Sequence, residues 1–197
     1  MHGKEAAEYD VHSVRSCDWQ KVGLLDAVPG AVERSFGLPR TVQAVREKAT
    51  EAFSDFLMAR LKGEPIDPLP KAVDIFGLLS PLDHEDLAAS YLQVQHGFVI
   101  VPSTVKLSTA TYEWVIYNRM SGQKATLQVK SGAAGVDLAK LGKLDCPVFV
   151  LVADGARNKS APKNIKWIRR DSLLEFARKN RNMLSTRIRF YLDWAGL

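Results

Sequence analysis

The residues of this chain best spaced to do chemistry together are Glu113, Gln128 and Lys130. Glu113 lies at the start of a run rich in aromatic and β-branched residues, 112–118, and Gln128 and Lys130 lie at the end of a second, 125–129, and just after it. Ser121-Gly122 between them is a turn signal, so the stretch 111–132 predicts a β-hairpin. With Ser121 and Gly122 as the two central turn residues, Met120 faces Gln123 and Glu113 faces Lys130. Gln128 then lies two positions along on the same face. Opposed side chains in such a pair have Cβ atoms about 5 Å apart, and diagonal ones about 7 Å. Trp114, Ile116, Leu127 and Val129 point the other way, as a buried face requires. A carboxylate, a carboxamide and an ammonium on one face can hold a divalent cation against a phosphate. The same residues can equally form an ordinary cross-strand ion pair worth roughly a few tenths of a kcal/mol.

The elements that must position these residues follow from the flanking sequence. Ser80-Pro81-Leu82-Asp83 announces a helix, with Ser as N-cap, Pro at the first position and acids in the first turn. It should run to about His96, where Gly97 ends it. Leu87, Tyr91 and Val94 form one apolar row, with Ala88 and Leu92 beside it. Glu85 sits three residues before Ala88 and seven before Leu92, at the edge of the buried stripe. That is a place for a carboxylate that complements the helix dipole or one that serves a site. His84 and His96 read as surface or capping residues, and neither has a second His at a ligand spacing, so no zinc site follows. Residues 98–101 predict a short apolar strand, and 136–144 a short helix. Residues 147–153 predict a strand buried on both faces and parallel to a neighbour. A polar loop, 154–163, leads to an edge strand at 165–168. Asp171 or Ser172 should cap the next helix, which carries Leu173, Leu174, Phe176 and Ala177 inward, and Ser185 the last one. From Ser80 on, the order is helix, strand, hairpin, helix, strand, strand, helix, which predicts a mixed β-sheet flanked by helices.

Before Ser80 the patterns are sparser. Residues 41–61 predict an amphipathic helix, with Thr41 as N-cap and Val42, Val45, Ala49, Ala52, Phe53, Phe56, Leu57 and Leu61 on one face. Gly63 ends it, and three prolines, Pro65, Pro68 and Pro70, make a stiff connector. The expected division is a helical N-terminal region, 1–70, for docking or dimerisation, and a second domain, 71–197. The apolar face of the first should pack on the rest of the chain, on a second copy or on a partner.

A chain of 197 residues with 46% hydrophobic residues supports a real core. No run approaches the roughly 20 apolar residues of a membrane span. Cys17 and Cys146 fit no metal spacing, and no secretory signal is expected, so free thiols in the cytoplasm are the default. Net charge is +5 and unevenly spread: residues 157–197 hold 11 Lys/Arg against 3 Asp/Glu, while the rest of the chain is slightly acidic. Such asymmetry marks either a polyanion-facing surface or a solvated basic helix.

The order of elements, an acid at the start of the second strand and the triplet Gln128-Val129-Lys130 in the third resemble the core of the PD-(D/E)XK nuclease superfamily, the restriction-endonuclease-like proteins. The Gln-x-Lys triplet is similar to the variant of the Mrr-type restriction enzymes, in which an acid of the preceding helix, here Glu85, also recurs. The resemblance covers roughly 80–176. It departs from the usual pattern in carrying Glu113 for Asp, with no Pro before it, and Gln128 for an acid. The first change lengthens a ligand by one methylene and the second removes a negative charge. The resemblance implies a restriction-endonuclease-like fold and a metal-dependent nuclease that hydrolyses phosphodiester bonds, with DNA favoured over RNA and a restriction or antiviral defence setting. It implies Mg²⁺ or Mn²⁺ held by Glu113, by the carbonyl oxygen of Gln128, and by Glu85 directly or through water. Lys130 would orient and help deprotonate the attacking water and offset charge on the phosphate. Arg157, Lys159, Lys163, Arg169, Arg170, Arg178, Lys179 and Arg181 would contact nucleic-acid phosphates. The alternative is a catalytically silent nucleic-acid-binding or partner-binding module on the same fold.

Overall fold

A computed structural model describes residues 18, 20–21, 28–30, 32, 48–104, 112–130, 135–157 and 160–197. Its elements in chain order are helices α1 (Lys48–Lys62), α2 (Ile75–Leu78) and α3 (Pro81–His96), then strands β1 (Phe98–Ile100), β2 (Trp114–Asn118) and β3 (Lys124–Lys130). Helix α4 (Leu138–Leu141), strands β4 (Val148–Val152) and β5 (Ile165–Trp167), and helices α5 (Arg170–Lys179) and α6 (Thr186–Trp194) follow. The strands form one mixed sheet in the order β1-β2-β3-β4-β5. The first three are antiparallel neighbours; β3, β4 and β5 run parallel.

Period-2 alternation divides the sheet residues between two cores. Trp114, Ile116, Leu127, Val129 and Leu151 face the larger one, under α3, α5 and α6. Val148, Val150 and Val152 face the smaller one with Leu141 of α4 and Ile165. Strand β4 is apolar throughout because it feeds both.

Helix α3 starts where the sequence signals it. Ser80 and Asp83 make a reciprocal capping box, and Gly97 ends the helix in the left-handed conformation. Its inward residues are Leu87, Ala88, Ala89 and Leu92, whereas Val94, expected in the apolar row, is exposed. His84, expected at the surface, is buried: its ring stacks on Phe76, and its Nε2 donates to the Phe76 carbonyl at 3.0 Å. The short helix α2 supplies both contacts, and its apolar sequence alone did not show where it would fold.

Helix α1 packs on the rest of the chain. Phe56 meets Phe190 and Trp194 of α6 at 5.3 and 5.0 Å between ring centroids. The proline-rich connector is tied to α6 by Leu69 N–H donating to the Trp194 carbonyl and by Trp194 Nε1–H donating to the Asp67 carbonyl. Thr41, Val42 and Val45 lie outside the described residues. Helix α4 is shorter than the expected 136–144, because Asp137 caps it at Lys140 and Gly142 closes it. Ser185 caps α6 as expected, by accepting from Ile188 N–H. Helix α5 is different: it starts at Arg170 with no side-chain cap, and Asp171 and Ser172 lie inside its first turn. Ile168 N–H still donates to the Val150 carbonyl, so sheet pairing rather than a capping side chain sets where this helix can begin.

Candidate active site

The hairpin pairs Trp114 with Leu127, Ile116 with Ala125 and Tyr117 with Lys124. Carried one residue further, this register would set position 113 level with Gln128, not with Lys130. The two-residue shift arises in the turn, which spans residues 119–122 rather than Ser121-Gly122 alone. Asn118 N–H donates to Gln123, and Gly122 N–H, at φ +69°, donates back to Asn118. The Asn118 side chain organises this loop by accepting from Met120 N–H, Ser121 N–H and the Ser121 hydroxyl. A shift by two preserves the alternation of faces, so Gln128 and Lys130 still project to one side.

At the mouth of the hairpin the ladder changes. Glu113 N–H donates to the Leu127 carbonyl at 2.9 Å, although Leu127 is the partner of Trp114. Two residues facing one is the arrangement of a β-bulge, which turns a side chain away from strict alternation. Glu113 Oε1 there accepts from Gln128 Nε2 at 2.8 Å and from Lys130 Nζ at 3.0 Å. Gln128 is buried, and its nitrogen also donates to the Val129 carbonyl at 3.2 Å. The carboxamide thus turns its nitrogen, not its oxygen, toward Glu113. To serve as a metal ligand it would have to turn over. The ion pair is half-open, with the Lys130 and Glu113 side chains 36% and 28% exposed.

Helix α3 brings the second acid. Pro81, His84 and Glu85 line a cavity of about 160 Å³ with Glu113, Val129 and Lys130. Burial first, then the charges of Glu113 and Asp86, push the Glu85 carboxyl above its usual range, against a lowering by Lys130. The four residues Glu85, Glu113, Gln128 and Lys130 therefore gather at one end of the sheet, where β3 ends. Strands β4 and β5 end on the same side, since both run parallel to β3. Ligand crevices of open α/β sheets lie beyond these carboxyl ends. Comparison with family models, with curated proteins and with solved structures finds no match.

Whether a divalent cation suits this cavity turns on the donors. Among the described residues no group of three His, Cys, Asp or Glu side chains stands ready to hold a metal. Two carboxylates do converge, and their mutual repulsion in a half-buried cavity is what a cation between them would relieve. Mg²⁺ commonly takes one or two protein carboxylates and completes its shell with water and substrate phosphate. The donor set fits that mode, with Glu85 and Glu113 as the residues to hold the ion.

The basic residues do not act as one surface. Arg170 pairs with Asp74 and lies over the Phe76 ring at 4.3 Å, so it braces α2. Arg181 pairs with Asp193 and the chain end at Leu197. Arg169 pairs with Asp171, and Lys179 with Glu175. Arg157, Lys163 and Arg178 are exposed and form no ion pair among the described residues. Lys159 lies outside the described residues. Arg157 follows β4 and Arg169 follows β5, on the cavity side. Arg178 and Lys179 close the other end of α5 and Arg181 follows it, roughly 12–15 Å away along its axis.

Proposed function

We propose that this chain is a metal-dependent nuclease of restriction-endonuclease-like fold that hydrolyses phosphodiester bonds in nucleic acid, DNA before RNA. The observation that carries the reading is the half-exposed Glu113 carboxylate, held by Lys130 and Gln128 at the lip of a cavity that it shares with Glu85. A bound Mg²⁺ or Mn²⁺ would supply an activated water and offset charge on the phosphate oxygens. Glu85 and Glu113 hold hard oxygen atoms toward the cavity. Gln128 fixes the Glu113 carboxylate through a half-buried hydrogen bond. Lys130 keeps its ammonium at the cavity, where it can hydrogen-bond the phosphate as charge develops on it. Arg157, and Arg169 once released from Asp171, would meet neighbouring phosphates on the same side.

One observation favours the silent form of the same fold: Glu113 Oε1 already has two donors, and one of them stands where an acid would add a second negative charge. Incubation with plasmid, linear and single-stranded DNA and RNA, each with Mg²⁺, Mn²⁺ or EDTA, separates the two readings. Cleavage that needs the metal and disappears in Lys130→Met supports the nuclease. Binding that weakens steeply with salt, without cleavage in any arm, leaves the silent module.

A further inference from the structure

A second cavity, of about 220 Å³, lies on the opposite flank of α3. Asp86, Ser90 and Gln93, spaced i, i+4 and i+7 on the helix, line one wall. Trp114 contributes to another, and Leu184 and Ile188, around the start of α6, to a third. Asp86 follows Glu85 in the helix and Trp114 follows Glu113 in the hairpin, so two of the three walls are one residue from a group of the proposed active site. The carboxylate of Asp86 accepts no hydrogen bond among the described residues. A cavity with apolar walls, one aromatic side chain and a few convergent polar groups has the make-up of a small-ligand site.

We propose that this cavity receives an unpaired guanine base of the nucleic acid whose phosphate occupies the first cavity, a reading that rests on the nuclease proposal. The choice of base follows from donor chemistry. An ionised carboxylate only accepts hydrogen bonds. Guanine alone among the common bases presents two adjacent donors, N1–H and N2–H₂, on its pairing edge. Adenine and cytosine each set an acceptor beside their amino group, and uracil and thymine flank one N–H with two carbonyls. The Ser90 hydroxyl and the Gln93 amide are adaptable partners for the rest of the edge, while the small exposed edges of Leu184, Ile188 and Trp114 close an apolar floor beneath the ring. A base can reach such a cavity only when it is unstacked, so the substrate is single-stranded or opened at that nucleotide.

The test begins with the full-length chain in EDTA, titrated calorimetrically with the 5′-monophosphates of guanosine, inosine, adenosine and cytidine. The common phosphate cancels, so differences report the base. Guanosine monophosphate should bind tightest. Inosine, which lacks the N2 amino group, should bind about tenfold more weakly, the loss of one hydrogen bond to a charged group. Asp86→Asn should remove that tenfold gap, and Ser90→Leu, which fills the cavity, should weaken all four. Equal affinities for the four nucleotides in the wild type would overturn the proposal without any variant. So would binding of L-arginine amide with no binding of guanosine monophosphate, which would mark the cavity as a seat for a protein guanidinium. Cleavage of oligothymidine carrying one guanine, with Mn²⁺, separates the two proposals. Uniform cutting rejects the guanine site and keeps the nuclease; selective nucleotide binding with no cutting rejects the nuclease and keeps the site.

Discussion

Two acid–base clusters are anchored around the first turn of α3, built from similar parts to opposite effect. In one, Asp83 Oδ2 accepts from Ser80 N–H at 2.8 Å and from the Ser80 hydroxyl at 2.7 Å, and Asp83 Oδ1 accepts from Arg187 Nε at 3.1 Å. Arg187 also donates to the Ser80 hydroxyl and to the Val28 carbonyl. The Asp83 and Arg187 side chains are 4% and 16% exposed. In the other, Glu113 engages one oxygen, Lys130 makes one bond, and Glu85 adds a second acid beside a cavity. A cluster that satisfies its own donors and acceptors is committed to the fold. A cluster that leaves an oxygen, ammonium hydrogens and a like-charged neighbour facing open space keeps capacity for a ligand.

The sharpest way to break that contrast is to remove one partner from each pair. Arg187→Met strands a buried carboxylate, which typically costs about 3–5 kcal/mol. In a chain of this size the melting temperature should fall by roughly 10 °C. Thermal unfolding followed by circular dichroism measures it. A fall of under about 3 °C would mean that the closed cluster is no more structural than the open one.

Lys130→Met makes the opposite demand. A pair this exposed contributes at most about 1 kcal/mol, so the melting temperature should stay within roughly 3 °C of the wild type. Metal-dependent cleavage should nonetheless drop at least about 100-fold, the usual scale for losing a general acid–base or electrostatic group. A variant that melts early, or one that cleaves at the wild-type rate, erases the distinction between the clusters.

The parts of this geometry legible in the sequence were those fixed by local rules. Ser80 with Asp83 and Gly97 bounds α3, and β-branched and aromatic alternation separates Trp114, Ile116, Leu127 and Val129 from Gln128 and Lys130. The register was not legible from Ser121-Gly122, because the turn is set by the Asn118 side chain reaching over its own loop; an Asn at the end of a strand was the signal to weigh. His84 was misplaced because its environment comes from Phe76, eight residues away. The cationic half of the closed cluster was not legible: Arg187 lies 104 residues from Asp83, and nothing local to either marks the pair. Arg170 and Arg181 read as free cations for the same reason, since their acids are Asp74 and Asp193.

The smallest effect concerns Glu85, and it sharpens what an open cluster means for stability. Its carboxyl titrates above the ordinary 4.5 because burial and the charge of Glu113 oppose ionisation. Below about pH 4.5 the residue is protonated in folded and unfolded chains alike and contributes no penalty. As pH rises through the window between 4.5 and the raised value, the unfolded chain releases its proton more readily than the folded one. Stability therefore falls across that window and stays lower above it. Glu85→Gln removes the titration, so without metal the variant should melt slightly higher than the wild type at neutral pH and at the same temperature near pH 4. Millimolar Mn²⁺ should reverse the order at neutral pH, because the wild type then gains binding energy that the variant largely loses. A Glu85→Gln chain that melts lower than the wild type at neutral pH without metal would show that Glu85 serves the fold, as Asp83 does, and would leave Glu113 and Lys130 as an isolated cross-strand pair.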